Sequence, residues 1–125
     1  MTPDAPRPGL ADALLLHAAG LTSDTAAAEL ICAHQTWLTR AEFVTGYIDA
    51  GTRHDGHPYA YIDWERAVTA LDTRNLCCSP SEAGILRIAA SLGDHHIPVH
   101  LACVLGSLDH ANIGLVTTAI TRANG

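Results

Sequence analysis

Four side chains able to hold a metal ion fall within nine consecutive residues, His95-His96-Ile-Pro-Val-His100-Leu-Ala-Cys103. Neutral imidazole nitrogen and thiolate sulfur are donors that zinc prefers. His100 and Cys103 stand three apart and share one side of a short helix opened by Pro98, away from the apolar stripe Leu101, Val104, Leu105 and Leu108. His95, His96, His100 and Cys103 are therefore the candidate zinc ligands. The simpler alternative is a loop of solvated histidines beside a helix N-terminus.

Other reactive side chains have plainer explanations. Cys77-Cys78 lacks the two-residue spacer of a zinc knuckle or redox pair, so one buried and one exposed thiol are expected. His54-Asp55-Gly56-His57 offers metal donors or an acid–base pair, but the same residues make an ordinary hydrophilic turn. His34 and His17 fall on apolar helix faces and are expected as core histidines bonded to a carbonyl or carboxylate. Trp37, Trp64, Tyr47, Tyr59 and Tyr61 cluster in sequence and are expected to pack against helices. The sequence has no glycine-rich phosphate loop, no nucleophile elbow and no pair of carboxylates on a common helical face. Nothing in it argues for an enzyme.

Composition bounds the partners. The 125 residues are 48% hydrophobic and 16% charged, with 13 acidic against 7 basic residues, a formal charge of −6 and no lysine. That length and apolar content suit one domain with its own core. The negative charge repels phosphate backbones and anionic lipid, which disfavours nucleic acid and membrane surfaces as partners. A core of this size needs no disulfide staples, so Cys32, Cys77, Cys78 and Cys103 are expected as reduced thiols in the cytoplasm. The apolar run Leu10 to Leu21 is broken by Asp12 and His17 and preceded by three prolines, unlike the core of a signal peptide. No stretch approaches the roughly 20 apolar residues of a membrane span.

The elements that must position these residues follow from periodicity and caps. Residues 1–8 are expected as a flexible tail and 9–125 as a single globular domain, with a helical and hairpin part over 9–75 and a helix-turn-helix-like part over 79–125. A first helix spans Leu10 to Ala19 and is closed by Gly20. A second runs from Ser23 or Asp24 to about Trp37, burying Ala27, Leu30, Ile31, His34 and Leu38, and residues 39–45 add a helical turn. Residues 46–50 and 59–62 read as strands of a hairpin around the loop 51–58. Asp63 caps a third helix to about Leu71. Ser79-Pro80-Ser81-Glu82 is a capping box before an apolar run that ends at Gly93. A short helix from Pro98 to Leu105, a turn over Gly106-Ser107-Leu108 and a final helix from Asp109 to about Ala123 complete a mainly α (α+β) fold of five to six helices with one small β-hairpin.

The stretch from Ser81-Glu82 through Ile85-Leu86, Ile97 to Gly106, Asp109, Ile113, Val116 and Ile120 resembles the helical core of winged helix-turn-helix regulators of the MarR type, without the wing. The resemblance covers about residues 80–125 and implies a final helix that reads DNA. With Ile113, Val116, Ile120 and Ala123 on the buried stripe, Ala111, Gly114, Leu115, Thr118, Thr121 and Arg122 face outward. Base readout needs Arg, Lys, Asn or Gln flanked by phosphate-binding cations, and this face offers only Arg122. Its small, nearly uncharged residues suit close approach by another protein. The function expected is thus a non-catalytic interaction module, self-associating or docking on a protein partner through the final helix. A DNA-binding regulator and a small zinc-binding domain are the alternatives.

Overall fold

Three helix starts are set by side chains that accept hydrogen bonds from otherwise orphaned backbone amides. Ser79 Oγ accepts from Glu82 N at 3.1 Å while Glu82 Oε1 accepts from Ser79 N at 2.7 Å, completing the capping box. Asp63 Oδ1 accepts from Arg66 N and Asp109 Oδ1 from Asn112 N. The computed structural model describes residues 9–125, and the tail expected over residues 1–8 lies outside them. Within that range run α1 (Leu10–Ala18), α2 (Thr22–His34), a 3-10 turn (Thr36–Thr39), α3 (Ala41–Tyr47), β1 (Ile48–Thr52), β2 (Pro58–Ile62), α4 (Trp64–Asp72), α5 (Pro80–Gly93), α6 (Leu101–Leu105) and α7 (His110–Ala123). The protein is mainly helical with one two-stranded antiparallel hairpin. Seven α-helices stand among the described residues where five to six were expected, because residues 39–45 grow from a turn into α3. No helix of the described chain is long and apolar enough to cross a membrane.

Helix α2 is the central element. It lies against α1, α5 and α7, and its buried alanines Ala26, Ala27 and Ala28 let those neighbours approach closely. Leu30 and Ile31 of α2, Ile85 and Leu86 of α5 and Val116 of α7 form the fully buried centre, joined by Trp37 and Phe43. Helix α1 covers β2 on the other side. The hairpin pairs Ile48 with Ile62 and Thr52 with Pro58, so only its base, at Ile48, Ala60 and Ile62, enters the core.

Two helix boundaries and the buried face of a third helix depart from expectation. Helix α2 stops at His34, not near Trp37, because Gln35 adopts φ 68° and breaks the helical path. The 3-10 turn that follows aims Trp37 into the core. Pro98 does not open α6: residues 98–100 are irregular, and the helix begins at Leu101 after His100 at the N-cap position. Helix α7 is turned by one residue relative to the expected stripe. Its buried residues are Asn112, Val116 and Ala119, whereas Ile113 and Ile120 are exposed and Leu115 is half-buried against the core. Asn112 takes the inward position because its Nδ2 donates to Ser81 Oγ at 2.7 Å, beside the capping box of α5.

Replacing Ser79 by alanine should cost about 1 kcal/mol, since the amide of Glu82 loses its acceptor at the start of the helix that carries much of the core. Urea denaturation of wild type and variant measures the loss; equal midpoints would refute the capping role.

Candidate functional site

The outward face of α7 is more apolar than its sequence suggested. Ile120 is 50% exposed and Ile113 is 37% exposed, with Ala111, Gly114 and Thr117 exposed around them. Threonine would ordinarily make such a face polar. Here Thr117, Thr118 and Thr121 donate their hydroxyls to the carbonyls of Ile113, Gly114 and Thr117 at 2.9, 3.1 and 3.1 Å. The hydroxyls are spent on their own helix, a common resolution for threonine in a helix interior.

Gly114 adds a second feature. A glycine inside a helix costs about 1 kcal/mol relative to alanine, and it is usually tolerated where another group needs the space. Gly84 and Gly93 have such neighbours: a Cβ on Gly84 would lie 3.1 Å from both Val104 and Leu108, and one on Gly93 would overlap the Trp64 indole. Around Gly114 nothing among the described residues lies within 4 Å, so no contact among them requires it.

Arg122, the one cation expected on this face, is engaged. It grips Glu29 of α2 with Nη2 at 2.7 Å from Oε1 and Nε at 3.1 and 3.2 Å from the two carboxylate oxygens. That forked ion pair ties the last turn of α7 to α2. Of the expected interaction residues, Ala111, Gly114, Thr118, Thr121 and Arg122 are exposed, and Leu115 is the exception.

The candidate metal donors regroup. Among the described residues, Asp94, His95 and His96 bring one donor atom each to within 4.8 Å of one another, and His100 and Cys103 do not join them. His100 and Cys103 do not share a helical side as expected, because α6 starts only after His100. Asp94, the C-cap of α5, was not singled out from the sequence, although it directly precedes the histidine pair. Its Oδ1 accepts from His96 N at 2.9 Å, and the two imidazole centroids are 4.1 Å apart. His95 also lines a cleft of about 830 Å³ between the N-terminal ends of α2 and α4 and the C-terminal end of α5. Asp24, Asp63, Glu65 and Asp94 line it too, with no Arg lining it among the described residues, and Tyr61 and Trp64 supply aromatic surface.

The remaining reactive side chains resolve as local structure. The 54–57 segment is a turn in which Gly56 takes φ 86° and Asp55 Oδ1 accepts from His57 N at 3.0 Å. That bond holds the Asp55 carboxyl below the usual range. All four cysteines are free. Cys77 is exposed and Cys78 half-buried, while burial, helped by Asp12 and Glu29, pushes the Cys32 thiol up to about 11. His17 lies outside the core, stacked on Tyr61 at 5.2 Å. His34 is half-buried, and its enclosed Nδ1 has no hydrogen-bond partner among the described residues, where a bonded core histidine was expected. Desolvation lowers its pKa, opposed by the nearby carboxylates of Glu82 and Asp109. Of the aromatic residues expected to pack against helices, Trp37 and Tyr47 do so through Phe43 in a chain of rings 5.0 and 5.6 Å apart, whereas Tyr61 is exposed and Tyr59 stacks on it along the hairpin.

No protein-family model, curated protein or solved structure gives a significant match to this chain.

Proposed function

We propose that the protein is a non-catalytic interaction module that pairs with a second copy of itself through the outward face of α7. One observation carries this reading: the mid-helix Gly114, which no contact among the described residues requires, is exposed next to Ile113, with Ile120 exposed further along a helix whose threonine hydroxyls are internally bonded. A partner backbone approaching at Gly114 would use the space and cover the isoleucines. A second copy suits this face because α7 contains no acidic residue, so two chains of charge −6 can meet there without opposing carboxylates. Four free cysteines fit a reducing, cytoplasmic setting.

Sedimentation of wild type, Ile120→Glu and Gly114→Arg tests the reading. Wild type should sediment as a dimer and both variants as monomers. Their melting temperatures should stay close to that of the isolated fold, because surface changes away from packed sites cost within about 0.5 kcal/mol. A monomeric wild type would refute pairing. The winged-helix resemblance supplies the competing outcome: salt-sensitive binding of wild type to duplex DNA, tightened by Gly114→Arg, with no change in association state.

A further inference from the structure

We infer that Asp94, His95 and His96 form a zinc site at the mouth of the acidic cleft, separate from the α7 face. Two imidazoles and a carboxylate are a donor set that Zn²⁺ takes readily, and three protein ligands leave a coordination position for water or a molecule entering the cleft. The fold already brings the donors together. The turn after α5 is closed by Ile97 N donating to the Asp94 carbonyl at 3.0 Å and by His96 N donating to Asp94 Oδ1, which sets both imidazoles beside the carboxylate. The three donor atoms lie within 4.8 Å of one another. Donors bound tetrahedrally at zinc distances are about 3.4 Å apart. Both imidazoles are exposed, so rotation about their side-chain bonds is open to them in closing that difference.

Electrostatics favour the same occupant. Asp24, Asp63 and Glu65 share the cleft lined by Asp94 and His95, and among the described residues no arginine lines it. Clefts lined by one sign of charge concentrate the opposite ion. Two of these carboxylates already serve the backbone, Asp63 as the cap of α4 and Asp94 through His96 N, which fixes their positions before any ion arrives. The His54–His57 turn has the equivalent bond, from His57 N to Asp55 Oδ1, but among the described residues no set of three donors gathers there.

The test is zinc retention by the full, tag-free chain, measured by competition with a chromogenic zinc indicator and by native mass spectrometry. Wild type should retain one equivalent of Zn²⁺. His95→Ala/His96→Ala should weaken binding by at least about 100-fold, more than the loss of a supporting outer-shell contact. Asp94→Asn, which can still accept from His96 N, should weaken it about tenfold. His100→Ala and Cys77→Ser/Cys103→Ser should bind as wild type does. Failure of wild type to hold stoichiometric zinc overturns the site, as does zinc that persists in the histidine double variant or departs with the cysteines. Circular dichroism of the double variant guards against misfolding, which exposed positions 95 and 96 should not cause.

Discussion

Trp37→Ala should destabilise the protein by about 3–5 kcal/mol, the range for removing a large aromatic side chain from a packed core. Trp37 is fully buried, and it lies at the junction of α2, α3 and α5. Its Nε1 donates to the Glu82 carbonyl at 3.1 Å, its ring stands 5.0 Å from that of Phe43, and the Arg40 guanidinium covers it at 4.8 Å. Alanine would leave an indole-sized void bounded by elements that cannot all close on it, because the capping box fixes α5 and Gln35 fixes the exit from α2. Since a domain's whole stability is about 5–15 kcal/mol, the variant would stand near the unfolding threshold. Trp37→Phe separates packing from hydrogen bonding. It keeps most of the buried area and loses the N–H, so a cost of about 0.5–1.5 kcal/mol is expected. Urea titrations followed by the fluorescence of the remaining Trp64 give both values. A loss below about 1.5 kcal/mol for the alanine variant would show that the region repacks freely and that Trp37 is not its anchor.

Where side chains act on their own backbone, the sequence was legible. Asp63, Ser79 with Glu82, and Asp109 cap the helices they were expected to cap, and Gly20 takes the φ of 95° that closes α1. Capping depends on residues three apart and needs no knowledge of the tertiary fold. Legibility failed where a distant partner decides. Helix α7 has apolar residues at Ile113, Leu115, Val116 and Ile120, enough for either of two adjacent stripes, and the contact of Asn112 with Ser81 selects between them. That pair is 31 positions apart. Two of the four zinc candidates, His100 and Cys103, stand apart from the histidine pair for a related reason. Counting three residues from His100 to Cys103 assumed a helix from Pro98, whereas the donors that meet are neighbours at the irregular end of α5. The acidic cleft was also out of reach, because Asp24, Asp63, Glu65 and Asp94 come from three helix ends separated in the chain.

The wall of that cleft supplies the other large effect: Gly93→Ala should cost about 2–3 kcal/mol, and the cost should vanish when Trp64 is also replaced by alanine. A Cβ built on Gly93 overlaps the indole of Trp64, with Cε2 at 2.5 Å and Cδ1 at 3.0 Å. Gly93 has no unusual φ, so alanine is compatible with its backbone and the objection is steric alone. Helix propensity pulls the other way by up to about 1 kcal/mol, less at a terminal residue. Overpacking wins because the indole is rigid and half-buried at the first residue of α4, and it can yield only by swinging away from the helix it covers. The double-mutant cycle makes the cause explicit. In the Trp64→Ala background the space is open, so Gly93→Ala should be neutral or slightly stabilising, giving a coupling of about 2 kcal/mol or more between residues in contact. A red shift of the fluorescence from position 64 in the Gly93→Ala single variant should accompany the loss, as the indole is pushed toward water. Equal costs for Gly93→Ala in both backgrounds would show that the glycine serves the chain path after α5 and not the seating of Trp64.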